Sequence, residues 1–230
     1  MYVISSSVSR NQNSLFGNKI NKITCNFTLG IYNSHILKPP MRSALNTIQW
    51  CPGCGDFLAL MAIRNTLKKL NIARENTVIV SGVGCSGKIS QYIDGYAAET
   101  LHGRSIPFAL GVKLANPKLT VIAIGGDGDG YGIGLGHFLH ACRRNIDITY
   151  IVLDNENYAL TTGQSSPTTP LGIKTKSEPQ GSITPPLDPI AAAKLFGAGF
   201  AEAVVDRDMA ALSSTIERAI LHPGFAHIRV

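Results

Sequence analysis

Short apolar runs alternate with longer amphipathic stretches over most of the chain. The apolar runs predict strands at residues 78–81, 121–124, 148–153, 203–205 and 226–230. The amphipathic stretches predict helices at residues 57–70, 108–114, 133–144, 190–196 and 209–221. Because helices separate successive strands, we expect an α/β fold with a mostly parallel sheet flanked by helices.

One long stretch, residues 159–189, has no hydrophobic periodicity and is rich in Thr, Ser and Pro. Irregular segments of this length inside a compact domain are usually functional or disordered. Its hydroxyl and amide side chains follow candidate metal ligands closely. We therefore expect an ordered loop that serves an active site or a subunit contact.

The charged residues divide the chain into two parts. Of the 21 basic and 15 acidic residues, five basic and no acidic ones fall in residues 1–55, which leaves 16 against 15 in the remainder. Because these charges nearly balance, they do not favour a nucleic-acid partner. No apolar run approaches the roughly 18 residues that a membrane helix needs. We expect residues 1–40 to form a disordered basic tail, residues 41–230 to form one domain, and the protein to be cytoplasmic. A transit peptide or a start codon placed too far upstream would also explain the tail.

Two strand ends carry oxygen ligands that suit a metal ion. Asp127 lies in a glycine-rich turn after the strand at 121–124, and Asn155 follows the strand at 148–153, 28 positions later. The carboxyl ends of parallel strands meet at one edge of a sheet, where α/β proteins bind ligands. Carboxylate and amide oxygens suit Mg²⁺, and the amides around Gly128 can bind phosphate groups. A glycine-rich turn with an unrelated Asn is the alternative.

Three of the five cysteines lie in glycine-rich turns. Cys51 and Cys54 form a C-x-x-C pair before a predicted helix, and Cys85 follows the strand at 78–81. Thiolates in such turns can bind a metal ion or an iron-sulfur cluster, although a C-x-x-C pair can also be redox-active. Cys142 fits the apolar face of its helix, and Cys25 lies in the tail.

A third candidate site combines His102 with Arg104. Together they could bind a phosphate or a carboxylate through charge-assisted hydrogen bonds, or they could be a solvated surface pair.

Taken in order, these segments resemble the β subunit of the 2-oxoacid:ferredoxin oxidoreductases from about Trp50 onward. The resemblance rests on WCPGCGD, GVGCSGK, HGR, GGDGDG, DNENYALTTGQSSPTTP and KTKSEPQG. It implies a thiamine diphosphate-binding domain of the diphosphate type that holds thiamine diphosphate, Mg²⁺ and one 4Fe-4S cluster. The implied reaction converts a 2-oxoacid, such as pyruvate or 2-oxoglutarate, and coenzyme A to acyl-CoA and CO₂, and passes electrons to ferredoxin. The implied partner is an α (or α/γ) subunit, without which the chain is inactive.

The resemblance also implies a role for individual residues. The cluster ligands would be Cys51, Cys54 and Cys85, and the Mg²⁺ ligands Asp127, Asn155 and the backbone carbonyl of Asn157. Lys88 would pair with the substrate carboxylate, and Leu160 would form a substrate-selecting wall of the pocket. The positions that line the cofactor would be Val83, Gly84, Cys85, Ser86, His102, Gly128, Asp129, Ala159 and Leu160.

Two family features are missing from this sequence. A fourth cluster cysteine lies beyond the last strand in the family, so we expect that the domain is truncated at its C-terminal end and that a cysteine follows within about ten residues. The glutamate that activates the cofactor comes from the partner subunit in the family. Two alternatives stay open: a thiamine diphosphate enzyme subunit without redox chemistry, and a zinc-stabilised subunit without catalytic activity.

Overall fold

The fold is built on a six-stranded sheet whose strands are all parallel. A computed structural model describes residues 48–230, so the predicted tail and Cys25 lie outside the described residues. The strand order is β2-β1-β3-β4-β8-β7. These strands are β1 (Thr77–Ser81), β2 (Tyr96–Glu99), β3 (Thr120–Gly126), β4 (Thr149–Leu153), β7 (Phe200–Ala203) and β8 (Ala226–Arg229), and a separate pair of short strands is β5 (Asn157–Tyr158) and β6 (Gln164–Ser165). The predicted α/β class is confirmed.

Helices cover both faces of the sheet. They are α1 (Asp56–Lys69), α2 (Ser105–Ala115), α3 (Leu135–Arg144), α4 (Pro189–Leu195) and α5 (Met209–Leu221). One core cluster joins α1 and α5 to the sheet through residues such as Leu60, Leu212 and Ile122. The other joins α2, α3 and α4 to the opposite face through Ile106 and Phe138. Every residue of β1 and β4 is buried, as expected for strands covered on both faces.

Some elements were not predicted, and two predicted elements have other bounds in the structure. The edge strand β2 has mostly exposed residues and no apolar run, and a 3₁₀ turn at Ser86–Gln91 gives no periodic signal. The strand predicted at 203–205 lies instead at Phe200–Ala203, where it pairs with Ala226–Arg229 of β8. The helix predicted from 133 begins at Leu135, because a π-helical turn at Gly128–Ile133 comes first. The other predicted helices and strands agree with the structure to within a few residues at each end.

The long irregular stretch is an ordered loop. Its backbone is tied to itself by hydrogen bonds, including Gly172 N to Ser182 O at 2.8 Å and Lys176 N to Gly163 O at 2.8 Å. The order that we predicted for this loop is therefore present in the structure. Within residues 48–230, no helix has the length and apolar character needed to cross a membrane.

Candidate functional site

A cavity of about 1020 Å³ opens at the carboxyl ends of β1, β3 and β4. Several separate parts of the chain form its wall: residues 49–56, 83–86, His102, 126–129, 153–155, 157–161, 203–206 and 229–230. All of the predicted cofactor, cluster and magnesium ligands line this cavity. Motifs that are up to about a hundred positions apart in the sequence therefore share one site.

Lys88 and Arg104 are the predicted site residues that do not line the cavity. Lys88 lies in the 3₁₀ turn at Ser86–Gln91, and its Nζ is 3.5 Å from Gln49 Oε1. Gln49 does line the cavity. Lys88 therefore contacts Gln49, a residue of the cavity wall, but does not itself line the cavity.

Asp127 is the buried carboxylate at the end of β3. Its pKa is raised to about 6, chiefly by burial and also by the nearby charge of Asp154. Its Oδ2 accepts one long hydrogen bond, of 3.3 Å, from Thr168 Oγ1. Ser166 and the backbone amides of Asp127 and Gly128 also donate to this carboxylate, but within the described residues it has no ion-pair partner, so a cation can stabilise it.

Asp154, at the end of β4, has the opposite environment. Its Oδ2 accepts a hydrogen bond of 2.7 Å from Arg229 Nε, and its Oδ1 accepts from Thr168 Oγ1 at 2.7 Å and from Glu156 N at 3.0 Å. Protein donors therefore occupy both oxygens. Of the two neighbouring carboxylates, Asp127 is the one available to a metal ion.

Asn155 and Asn157 lie in the turn that follows β4. Asn155 Oδ1 accepts a 3.2 Å hydrogen bond from Asn157 N, and the Asn157 carbonyl accepts one of 3.0 Å from Ala159 N. Each oxygen keeps a second lone pair, so both can still bind a cation. Because β3 and β4 are paired neighbours, with Gly126 opposite Leu153, the Asn turn lies beside Asp127. This set of hard oxygen donors fits Mg²⁺.

Gly128 is required by a close contact with Tyr158. A Cβ atom at Gly128 would lie 2.2 Å from Tyr158 Cε1. The Tyr158 hydroxyl also donates a 3.1 Å hydrogen bond to the Gly128 carbonyl. The absent side chain lets the turn after β3 lie against the aromatic ring at the cavity wall.

Asp129 joins three segments of the site. Its Oδ1 accepts hydrogen bonds from Val83 N at 3.0 Å, from Gly103 N at 2.8 Å and from His102 Nδ1 at 2.7 Å. Its side chain is 1% exposed, whereas that of His102 is 39% exposed. Since a carboxylate only accepts, His102 carries its proton on Nδ1 in this contact, which leaves Nε2 for the cavity. Asp129 thus positions His102.

Arg104 points away from the site. Its guanidinium contacts His137 Nε2, and it does not line the cavity. Burial lowers the pKa of His137, and the charge of Arg104 lowers it further. His102 and Arg104 therefore have separate environments, and His102 alone of the two is at the cavity.

Cys51, Cys54 and Cys85 all line one end of the cavity. Trp50 connects their two turns, because its Nε1 donates a 2.8 Å hydrogen bond to the Cys85 carbonyl. Burial raises the pKa of the Cys54 and Cys85 thiols. Asp56, beside them, has a pKa raised to about 6 by burial.

These three thiols do not converge on a single point. Within the described residues, no group of three or more His, Cys, Asp or Glu side chains could hold one metal ion. A tetrahedral zinc site requires such convergence. In a four-iron cluster the cysteines bind different irons, so their side chains can line a wall instead.

The residues at the site that were not predicted include Trp50, Asp154 and Arg229, whereas Thr168 belongs to the loop hydroxyls that we expected beside the metal ligands. Their contacts join parts of the chain that are far apart in sequence, such as Trp50 with Cys85 and Arg229 with Asp154. No local pattern marks such contacts. For Trp50, its position next to the C-x-x-C pair was the one available signal.

Comparison with known proteins agrees with this geometry. Residues 82–230 match the family described as thiamine pyrophosphate enzyme, C-terminal TPP binding domain. The chain is 49% identical over 183 residues to a 2-oxoacid:ferredoxin oxidoreductase subunit beta of Saccharolobus solfataricus, covering 79% of this chain and 60% of that protein. It is 41% identical over 190 residues to the 2-oxoglutarate synthase subunit KorB of Archaeoglobus fulgidus, covering 83% of this chain and 71% of that protein.

A solved structure is also similar. It is the 2-oxoglutarate:ferredoxin oxidoreductase from Magnetococcus marinus with 2-oxoglutarate, coenzyme A and succinyl-CoA bound. The TM-score is 0.79 at 36% identity, and the match covers 80% of this chain and 63% of that one. The sequence thus spans about three fifths to seven tenths of the length of these three proteins.

Proposed function

The chain belongs to the 2-oxoacid:ferredoxin oxidoreductase β subunits within the thiamine pyrophosphate enzymes, and from this we propose that it binds thiamine diphosphate for the oxidative decarboxylation of a 2-oxoacid. The proposed reaction consumes a 2-oxoacid, coenzyme A and two oxidised ferredoxins, and yields acyl-CoA, CO₂, two reduced ferredoxins and a proton. The observation that supports it is the single cavity that joins the Asp127 and Asn155 strand ends to three cysteines.

We assign the diphosphate end of the cofactor to the carboxyl edge of β3 and β4. Asp127, Asn155 and the Asn157 carbonyl would hold Mg²⁺, which would bridge to the diphosphate. The backbone around Gly128 approaches the cavity closely, and His102 Nε2 is available as a hydrogen-bond partner for a phosphate oxygen. When bound, thiamine diphosphate supplies the carbanion chemistry that 2-oxoacid decarboxylation requires.

We assign Cys51, Cys54 and Cys85 to a 4Fe-4S cluster at the other end of the same cavity. One-electron transfer through such a cluster would connect a two-electron oxidation to ferredoxin. Because the cysteines and Asp127 line one cavity, no long protein barrier separates the proposed cluster from the proposed cofactor.

Substrate selection is assigned to the Leu160 side of the cavity and to Lys88. Leu160 is half exposed in the cavity wall, where its apolar side chain can contact the substrate. Lys88 reaches the wall through Gln49 in this structure, and we propose that its ammonium group pairs with the substrate carboxylate. A charged hydrogen bond of this kind is worth about 1.5–3 kcal/mol, so Lys88→Ala should raise the KM for 2-oxoacids about tenfold or more.

The experiment that tests the function uses the chain co-purified with its partner subunit under anaerobic conditions. We expect stoichiometric thiamine diphosphate, bound iron with labile sulfide, and ferredoxin reduction that depends on a 2-oxoacid and coenzyme A. Asp127→Ala should abolish cofactor binding, and Asp94→Ala, an exposed acidic residue, is the matched control.

The result also separates the alternatives. Thiamine diphosphate without iron or sulfide would favour a subunit without redox chemistry. Zinc in place of iron would favour the non-catalytic, zinc-stabilised subunit. Unchanged cofactor affinity in Asp127→Ala would reject the metal assignment.

A further inference from the structure

Arg229, at the end of β8, contacts the turn that carries the proposed Asn ligands. Its Nε donates a 2.7 Å hydrogen bond to Asp154 Oδ2, and its Nη2 donates a 3.3 Å bond to Glu156 Oε1. These two carboxylates flank Asn155 directly in the sequence. One guanidinium therefore holds the chain on both sides of the proposed ligand.

The turn has a backbone conformation that needs such support. Glu156 has a φ of 60°, which is uncommon for a residue with a side chain. Further bonds fix it: Glu156 N donates to Asp154 Oδ1 at 3.0 Å, and Thr169 Oγ1 donates to the Glu156 carbonyl at 2.5 Å. Strained backbone of this kind persists where surrounding contacts determine it.

Asp154 also connects Arg229 to the second proposed ligand. Thr168 Oγ1 lies 2.7 Å from Asp154 Oδ1 and 3.3 Å from Asp127 Oδ2. A hydroxyl has one proton, so it cannot donate fully to both carboxylates. Because Arg229 neutralises Asp154, that carboxylate is stable in its buried position, whereas Asp127 has hydroxyl and backbone donors but no cationic partner within the described residues.

We propose that Arg229 is a positioning residue for the metal site, in which it orients Asn155 through Asp154 and Glu156 and reserves Asp127 for the cation. This inference rests on the proposed function. Arg229 does not itself contribute a metal ligand, since a guanidinium has no lone pair to offer. The role is of the kind in which a partner of a ligand sets metal affinity.

The test measures Mg²⁺ affinity in the presence of saturating thiamine diphosphate, by calorimetry, on the full chain in complex with its partner subunit. Arg229→Gln keeps a polar side chain and removes the charge. We expect it to weaken Mg²⁺ binding about 10- to 100-fold, as is typical when a ligand loses its supporting partner. Binding of Mn²⁺, followed by the loss of its free EPR signal, should weaken in parallel.

Two further variants make the result specific. Arg229→Lys keeps the charge but lacks the two-pronged geometry, so its Mg²⁺ affinity should fall between those of the parent and Arg229→Gln. Arg218→Gln is the matched control, because Arg218 makes an equivalent two-pronged contact with Glu202, at 2.5 and 2.6 Å, outside the cavity. Its Mg²⁺ affinity should equal that of the parent.

The outcomes distinguish the inference from the function on which it depends. A parent complex that binds no Mg²⁺ in the presence of thiamine diphosphate would contradict both the proposed function and the role of Arg229. If the parent binds Mg²⁺ and both Arg229→Gln and Arg229→Lys bind it equally well, the role of Arg229 is contradicted and the proposed function is not. This holds even if the melting temperature of either variant falls. If Arg229→Gln does not fold, Arg229→Lys decides: affinity equal to the parent overturns the proposal, and weaker affinity supports it.

Discussion

At the scale of single residues, three buried aspartates at the cavity have three different kinds of partner. Asp129 accepts from two backbone amides and a histidine, and Asp154 accepts from an arginine, a hydroxyl and an amide. Asp127 accepts from hydroxyls and backbone amides, including a long hydrogen bond of 3.3 Å from Thr168. Of these three, Asp127 is the one without a histidine or arginine partner within the described residues, which leaves it suited to a cation.

Asp129 should be important for stability as well as for the site. Asp129→Ala removes the acceptor of the Val83 and Gly103 amides, and leaving buried donors unpaired costs about 1–3 kcal/mol each. We expect the free energy of unfolding to fall by at least about 2 kcal/mol in urea titrations. Asp94→Ala, which removes an exposed carboxylate, should change it by less than about 0.5 kcal/mol. Equal stability of the two variants would contradict this structural role.

His227 should make stability depend on pH. It is fully buried on β8, where its Nδ1 donates to the Tyr150 carbonyl and its Nε2 accepts from the Tyr131 hydroxyl. Burial lowers its pKa from 6.5 to about 3. Between these two values the unfolded chain binds more protons at this residue than the folded chain. The contribution of His227 to stability is therefore constant above pH 6.5 and falls by about 1.4 kcal/mol per pH unit below it.

The measurement compares urea titrations at pH 7.5 and pH 5.5 for the parent and for His227→Gln. The parent should lose about 1.4 kcal/mol more than the variant over this interval. The comparison cancels the opposite effect of Asp56 and Asp127, whose raised pKa values favour the folded state as the pH falls. His140→Gln, at an exposed helix position, should keep the parent slope, and a parental slope in His227→Gln would refute the prediction.

The sequence predicted the candidate metal and cluster ligands better than the residues that contact those ligands and position them. Asp127, Asn155 and the three turn cysteines stand out because each follows a strand or occupies a glycine-rich turn. Trp50 and Arg229 matter through contacts that only the folded chain creates. Arg104 is the opposite case: it is close to His102 in the sequence, but it contacts His137 and does not line the cavity.

At the scale of elements, α1 and α5 pack together on one face of the sheet and hold the strand ends in place. On α5 the buried positions Leu212, Ile216 and Ala219 follow helical spacing. Leu212→Ala should lower the free energy of unfolding by about 2–5 kcal/mol, because it removes a fully buried side chain. Leu221→Ala, at an exposed position of the same helix, should change it by less than about 0.5 kcal/mol. A small effect of Leu212→Ala would mean that this interface is loosely packed.

Elements with a strong apolar pattern were predictable, and those that depend on pairing were not. The core strands β3 and β4 are continuous apolar runs, and the helix α5 has apolar residues at helical spacing. The position of β7 depends on its register with β8, and the apolar Val205 that suggested a later strand is exposed. Tertiary pairing therefore decided where this strand lies.

At the scale of the whole molecule, the cavity is open on one side, and we infer that a partner subunit completes it. The proposed cofactor would be enclosed only when that subunit supplies the remaining wall and the activating glutamate. We expect the chain alone to bind thiamine diphosphate weakly and to oxidise no 2-oxoacid. Activity should appear when the partner subunit is titrated in and should saturate at a fixed stoichiometry. Turnover by the isolated chain would contradict this division of the active site.

The order of strands in the sheet also affects how the protein can be made in a cell. β4 pairs with β3 on one side and with β8 on the other, but β8 is synthesised only after α4, β7 and α5. Until then, the apolar β4 segment Thr149–Leu153 leaves the ribosome with one edge unpaired. Unpaired apolar edges promote self-association of nascent chains. A transcript cut short within α5 should therefore give an aggregating product, and the Asp154 to Arg229 contact would be among the last to form during biogenesis.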